Sequence, residues 1–321
     1  MPRTAEAGRA GPLAAALAEL RIVVEHAEVV CGTAAVRSYP GGARPTSTVV
    51  IAGRGVAGRG ENVAWTAEAH ARLDVGAVPR GTGRLGEWAT AIASGIREPY
   101  ARAAVEAAAI DLALRQAGTN VFELADVAPA PVRYVVSFER VTDPVARARA
   151  EPGPVALKVD ADPSWDDATW AALTSTGRVA VLDFKGAGHA PELERAHRAL
   201  PDALLEDPGD AAWSGPLRRR LALDAAIVSA AALDDVVVRP VAVNLKPARM
   251  GGVLEALRCA ARCADLGIAI YIGGMFEVAV GRRQLRALAA VLCPDATNDI
   301  APLDSTERPL RLAVEDGPGF A

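Results

Sequence analysis

The chain reads as an α/β protein, a βα barrel preceded by an α+β unit. Three observations predict this. From residue 132 onward, seven short apolar runs alternate with helix-like segments, the pattern of parallel strands joined by crossovers. The later runs end in a charged residue or in glycine: Lys158 with Asp160, Asp183, Glu206, Asp224, Lys246, and Gly273 with Gly274. These ends lie 18 to 27 residues apart, which suits a compact barrel of roughly 25 to 30 residues per unit. Before residue 125 the pattern mixes strand and helix instead. A length of 321 residues with 51% hydrophobic and 23% charged side chains allows two domains, or one barrel with an attachment.

The elements follow in order. Residues 46–52 (TSTVVIA) read as a strand and the glycine-rich stretch up to Gly60 as a turn. Residues 100–117 read as an amphipathic helix that Gly118 ends. The barrel runs are 132–138, 155–159, 179–184, 203–205, 221–223, 241–245 and 268–272, and an eighth strand near 297–300 would close the ring. Trp165 and Trp170 are read as packing residues on the helix after the second barrel strand, and the cluster 218–220 as a solvated helix end. GRGVAG over 53–58, with Asp74 further on, matches a dinucleotide fingerprint literally. The strand before it reads as one arm of an antiparallel hairpin and no βαβ unit follows, so the match is discounted.

Composition excludes several partners. Thirty-five basic against 39 acidic side chains give a net charge of −4, so no global field draws the chain to nucleic acid or anionic lipid. No run of 18 apolar residues suggests a membrane span. Glu6, Arg9 and Glu19 interrupt residues 1–20, which therefore lack the apolar centre of a signal peptide and read as a frayed start. The expectation is a cytoplasmic enzyme. Cys31, Cys259, Cys263 and Cys293 are too scattered for a disulfide framework and read as buried thiols.

The strand ends carry the chemistry. In a barrel, residues at the C-terminal ends of strands face the active-site mouth. Asp183, Glu206 and Asp224 would stand side by side on three successive strands, where a divalent cation relieves their repulsion. Hard oxygen ligands select Mg²⁺. Ordinary helix caps and surface salt bridges are the alternative. Lys158 and Lys246 fall on the second and sixth strands, opposite one another across the ring. An ammonium beside a divalent cation is pushed toward the neutral amine, which can take a proton α to a carboxylate.

The runs NLKPARMGG (244–252) and GGMFEVAVG (273–281), LEDP (205–208) and NDIAP from Asn298 resemble the enolase superfamily. The likeness is closest to its muconate-lactonizing branch of o-succinylbenzoate synthases, N-acylamino acid racemases and dipeptide epimerases. GRGE (58–61) and AAVEAAAIDLAL (103–114) match that branch's capping domain, so the resemblance covers nearly the whole chain. It implies a modified (β/α)7β barrel of the TIM type over 129–300 and an α+β capping domain over 1–128, with 301–321 returning to the cap. It also implies Asp183, Glu206 and Asp224 as Mg²⁺ ligands and Lys246 as the base, a superfamily pattern of lysine base and magnesium. The substrate it implies is a small-molecule carboxylate, with specificity in capping loops around 32–46 and a homo-oligomeric assembly. Glu277 falls where the branch contacts substrate, or else is a buried structural acid.

Two positions depart from the branch. Where relatives carry Lys-x-Lys, this chain has Lys158-Val159-Asp160, so a carboxylate replaces the second lysine and either weakens a two-base mechanism or extends the metal site. Where relatives carry Asp-x-Asn, it has Asp183-Phe184-Lys185. Residues two apart share a strand face, so Lys185 would project to the mouth as base, as carboxylate clamp, or as a counter-charge to Asp160. Three readings follow: proton abstraction with elimination, a racemase or epimerase using Lys185, and a non-catalytic binding or scaffold protein on the same barrel.

Overall fold

The computed structural model describes residues 7–36, 41–209, 215–301, 309–314 and 320. Its strands are β1 Arg21–Val24, β2 His26–Ala35, β3 Ala43–Gly53, β4 Val56–Asn62, β5 Gly81–Arg84, β6 Val135–Phe138, β7 Ala156–Asp160, β8 Val179–Asp183, β9 Leu204–Glu206, β10 Leu221–Leu223, β11 Ala242–Leu245 and β12 Ala269–Ile272. The helices are α1 Ala10–Glu19, α2 Ala67–Ala71, α3 Leu85–Gly95, α4 Pro99–Ala117, α5 Val121–Leu124, α6 Pro144–Ala150, α7 Asp167–Ser175, α8 Ala190–Ala199, α9 Pro247–Met250, α10 Val253–Asp265 and α11 Val280–Leu292. None is long and apolar enough to cross a membrane.

The cap is built on an antiparallel sheet in the order β2-β3-β4, with β1 paired to β5 beside it. Its sequence shows one strand where there are three. The stretch 53–60 is not a turn: only Arg54 and Gly55 turn, both at positive φ, as a two-residue hairpin requires. The rest is β4, hidden by its glycines. A Cβ at Gly58 would lie 2.2 Å from Ala108 O, and one at Gly60 2.0 Å from Ala104 O, so only glycine lets α4 lie directly on the strand. This hairpin also accounts for the literal GRGVAG match without any βαβ unit. Residues 32–46, read as a loop, are mostly the ends of β2 and β3, with 37–40 outside the described residues.

Helix α4 begins with Pro99 at its first position and ends at Gly118, which adopts φ 66°. It is alanine-rich because it is buried on nearly every side: Ala104, Ala108, Ile110, Leu112 and Ala113 are all within 1% of full burial. The start of the chain is a helix rather than frayed sequence from residue 10, with Leu13 and Leu17 in the core. Residues 1–6 are outside the described set.

The barrel is a seven-stranded parallel sheet in unbroken chain order from β6 to β12. No regular eighth strand forms at 297–300. Instead Asn298 bridges Tyr134 and Asp299 bridges Gly273, so single residues close the ring between β6 and β12. Val135 N donates to Asn298 O at 2.8 Å and Asp299 N to Ile272 O at 2.8 Å. This is the modified (β/α)7β barrel of the TIM type with an α+β capping domain. Two crossovers depart from helix: β9 to β10 and β10 to β11 carry only 3₁₀ turns, Gly215–Arg220 and Ala231–Leu233, among the described residues. The spacing of 18 residues into β10 is the shortest of the series, whereas the 22 into β11 nearly equals the 23 of the preceding crossover that carries α8.

The 218–220 cluster divides. Arg218 and Arg219 are exposed, but Arg220 is buried and its guanidinium donates to Ala203 O (2.7 Å) and Leu200 O (2.5 Å), tying the preceding crossover to the sheet. Trp165 and Trp170 are buried edge to face, 5.2 Å between centroids. Trp165 precedes α7 instead of lying on it. Cys259, Cys263 and Cys293 are buried free thiols, whereas Cys31 lies exposed on β2.

Candidate active site at the barrel mouth

The strands deliver their charges to one place. Asp160, Asp183 and Glu206 are in register across β7, β8 and β9. Asp224 follows β10, with its N–H held by Asp207 Oδ1 at 2.9 Å. The carboxylates of Asp183, Glu206 and Asp224 are buried and each offers an oxygen within 4.8 Å of the others. Two ammonium groups bracket them. Lys158 Nζ lies 3.2 Å from Asp183 Oδ2 and 3.2 Å from Asp299 Oδ2 and bonds Glu206 Oε1. Lys246 Nζ donates to Asp224 Oδ2 at 2.8 Å. Five of the eight predicted site residues, the three carboxylates with Lys158 and Lys246, therefore meet.

Lys185 also reaches the cluster, by a different route from the one expected. The strand stops at Asp183, and Lys185 turns back in the left-handed region at φ 53°, its N–H on Asp183 Oδ1 at 2.9 Å. Its Nζ then bridges Asp183 Oδ2 (2.5 Å) and Asp160 Oδ1 (3.1 Å), with the side chain half exposed at the mouth. Glu277 has partners of its own. Its carboxylate accepts Met275 N at 2.9 Å, and its backbone carbonyl accepts Arg282 Nε at 3.0 Å. Burial raises its pKa, which Arg282 opposes.

Three members escaped sequence reasoning. Asp299 sits on the closing bridge, where no periodic strand marks it. Tyr271, on β12, reads as an apolar core residue, yet its hydroxyl donates to Glu206 Oε2. Arg249 lies within the NLKPARMGG run, and its Nη1 takes Asp224 Oδ1 at 2.6 Å.

Electrostatics follow from burial and crowding. Burial pushes the Glu206 carboxyl up to about 8, against the pull of Lys158. Asp183 and Asp224 are held low: burial alone would raise them, but Lys158 with Lys185, and Lys246 with Lys158, outweigh it. Burial alone would also lower the Lys158 ammonium, yet Glu206, Asp299 and Asp183 outweigh it, so Lys158 lies well above the ordinary lysine value. The carboxylates thus oppose the neutral amine expected for Lys158, a form that burial and the charge of a divalent cation would favour. The donor set nonetheless fits Mg²⁺: three hard carboxylate oxygens converge, and a positive ammonium already sits among them. The arrangement can hold a divalent cation against a carboxylate substrate with amine groups on both sides.

The comparisons bear on the same features. Residues 15–124 match the N-terminal and residues 128–306 the C-terminal domain of a family described as a domain of unknown function, DUF8230. The chain is similar to an N-succinylamino acid racemase of Amycolatopsis, 33% identical over 154 residues. That match spans 43% of this chain and 42% of the racemase, under half the length of that relative. Among solved structures, a Listeria innocua member of the enolase superfamily is similar at TM-score 0.76 and 19% identity, over 93% of this chain and 94% of that one. A dipeptide epimerase of Methylococcus capsulatus, solved with Mg and the dipeptide L-Arg-D-Lys, is similar at TM-score 0.73 and 23% identity, over 87% and 90%. The chain thus has the fold of the enolase superfamily and belongs to the family that the two DUF8230 domains define.

Proposed function

We propose that the chain is a Mg²⁺-dependent enzyme that removes the α-proton of a small carboxylate substrate, with elimination or reprotonation to follow. The observation that carries this reading is the convergence of Asp183, Glu206 and Asp224 within 4.8 Å, with Lys158 and Lys246 in contact with that cluster. The three carboxylates are the residues that would hold the ion, which as a Lewis acid would neutralise charge on the substrate carboxylate. Lys246, as the amine on the Asp224 side, takes the α-proton. Lys158, held charged, stabilises negative charge building on the substrate oxygens from the other side. Burial of both lysines excludes water and strengthens these interactions. Asp160 narrows the mouth and holds Lys185, and Glu277 supports the loop after β12 on the substrate side.

The test is exchange of the substrate α-proton in deuterated water, with N-succinylamino acids and dipeptides as first probes, since relatives and neighbours carry those names. Wild type is expected to exchange and Lys246→Ala to lose at least a hundredfold. Retained exchange in that variant would refute Lys246 as the base.

A second reading has its own observation. The Lys185 ammonium bridges Asp160 and Asp183, which puts a second amine at the mouth and suits a racemase or epimerase that needs proton transfer on both faces. Lys185→Met is then expected to stop stereoinversion while single-face exchange persists. Full turnover in that variant would exclude the reading. A scaffold protein on the same barrel would bind the ion and exchange nothing.

A further inference from the structure

Asn244 lies on the barrel's inner face with no hydrogen-bond partner for either polar atom of its side chain. It occupies β11 two residues before Lys246, so the two side chains leave the same side of the chain. It is 1% exposed, and both Nδ2 and Oδ1 are unpaired. Buried amides are almost always paired, so this one needs a reason. Gly273 opens the space around it: a Cβ there would stand 2.2 Å from Asn244 Oδ1 and 2.9 Å from Lys246 Cε. The amide oxygen and the end of the lysine chain therefore border one gap.

Lys246 is committed elsewhere. Its Nζ holds Asp224 Oδ2 at 2.8 Å while Arg249 holds Asp224 Oδ1 at 2.6 Å, so both oxygens of that carboxylate already serve protein cations. A divalent ion on Asp224 would compete with both for its lone pairs and repel the nearby Lys246 ammonium, which favours its release. Lys246 has an unused acceptor beside its stem. We infer that Asn244 is a positioning residue that receives the amine of Lys246, through an N–H donated to Asn244 Oδ1, when Asp224 turns to the metal. The inference rests on the metal reading of the carboxylates given above. It gives the amide a partner and fixes where the base is held.

Titration calorimetry of the full chain with MgCl₂ tests it without any substrate, using wild type, Asn244→Leu, Lys246→Met and the double variant. Thermal unfolding in EDTA first checks folding. Leucine nearly matches asparagine in size and removes an unpaired buried amide, so the midpoint should not fall. The expectation is that Asn244→Leu weakens Mg²⁺ binding about tenfold when Lys246 is present and less than twofold when residue 246 is Met. An equal loss in both backgrounds would make Asn244 merely structural and overturn the inference, as would no loss in either. Wild type that takes up no Mg²⁺ would overturn the metal reading itself and this inference with it. That result is told apart because it shows before any variant is made.

Discussion

Glu206 is fully buried with its two oxygens divided between Lys158 and Tyr271, and burial still lifts its carboxyl to about 8. A ligand at a hundredfold excess over its Kd stabilises the folded state by about 2.7 kcal/mol, a rise of several degrees in Tm. Wild type is expected to show that rise with Mg²⁺ and Glu206→Gln to show none; an equal rise in both would remove Glu206 from the ion site. Glu106 yields a different prediction. Burial pushes its carboxyl up to about 7, although Leu254 and Val253 N–H groups at the start of α10 favour its charged form. Unfolded, it ionises near 4.5, so its contribution is full below that pH, erodes as pH rises and is gone above about 7. The loss is on the order of 3 kcal/mol. Glu106→Gln should flatten the fall in Tm between pH 5 and 8, whereas parallel curves for the two proteins would contradict this. At this scale the sequence was most readable where a charge ends an apolar run, as at Asp183, Glu206, Asp224 and Lys246. Asp299, Tyr271 and Asn244 gave no such mark, because their role depends on what lies across the ring and not on their own strand.

Among the elements, β4 and α4 show why local pattern fails at close packing. Glycine is a poor strand former, and a run containing Gly58 and Gly60 reads as a turn until the helix that needs their bare backbone is known. Gly60→Ala would force its Cβ into the Ala104 carbonyl and is expected to destabilise the cap by about 3 kcal/mol or more, read as a lower midpoint in urea. An unchanged midpoint would mean that the helix can lift from the sheet. The barrel strands were legible because each is a short apolar run with both faces buried. The helix-free crossovers around β10 were not legible, since the 22-residue spacing into β11 is almost that of the crossover that carries α8.

At the scale of the whole molecule, cap and barrel are joined by side chains reaching backbone. Arg44 of β3 is 2% exposed and donates to Met275 O (3.1 Å) and Phe276 O (2.7 Å) in the loop after β12, and to Ala64 O (3.2 Å) within the cap. Its guanidinium lies 5.3 Å from the Trp65 ring and 5.8 Å from that of Phe276. Glu61 of β4 accepts N–H groups of Val278, Ala279 and Gly281 at the start of α11. These links were invisible in sequence, since a carbonyl has no residue identity. Arg44→Met is expected to lower stability by about 2 kcal/mol and to speed amide exchange over 275–279; unaltered exchange there would mean that the barrel holds its own loop. The ring's closure carries a last consequence. Asp299 both joins β12 across the gap and holds Lys158, so the seam of the barrel is also an electrical contact of its mouth. Heat or denaturant that parts the seam would take one of three carboxylates from Lys158 before the rest of the wall yields, and the mouth's charge balance would shift while most strands remained paired.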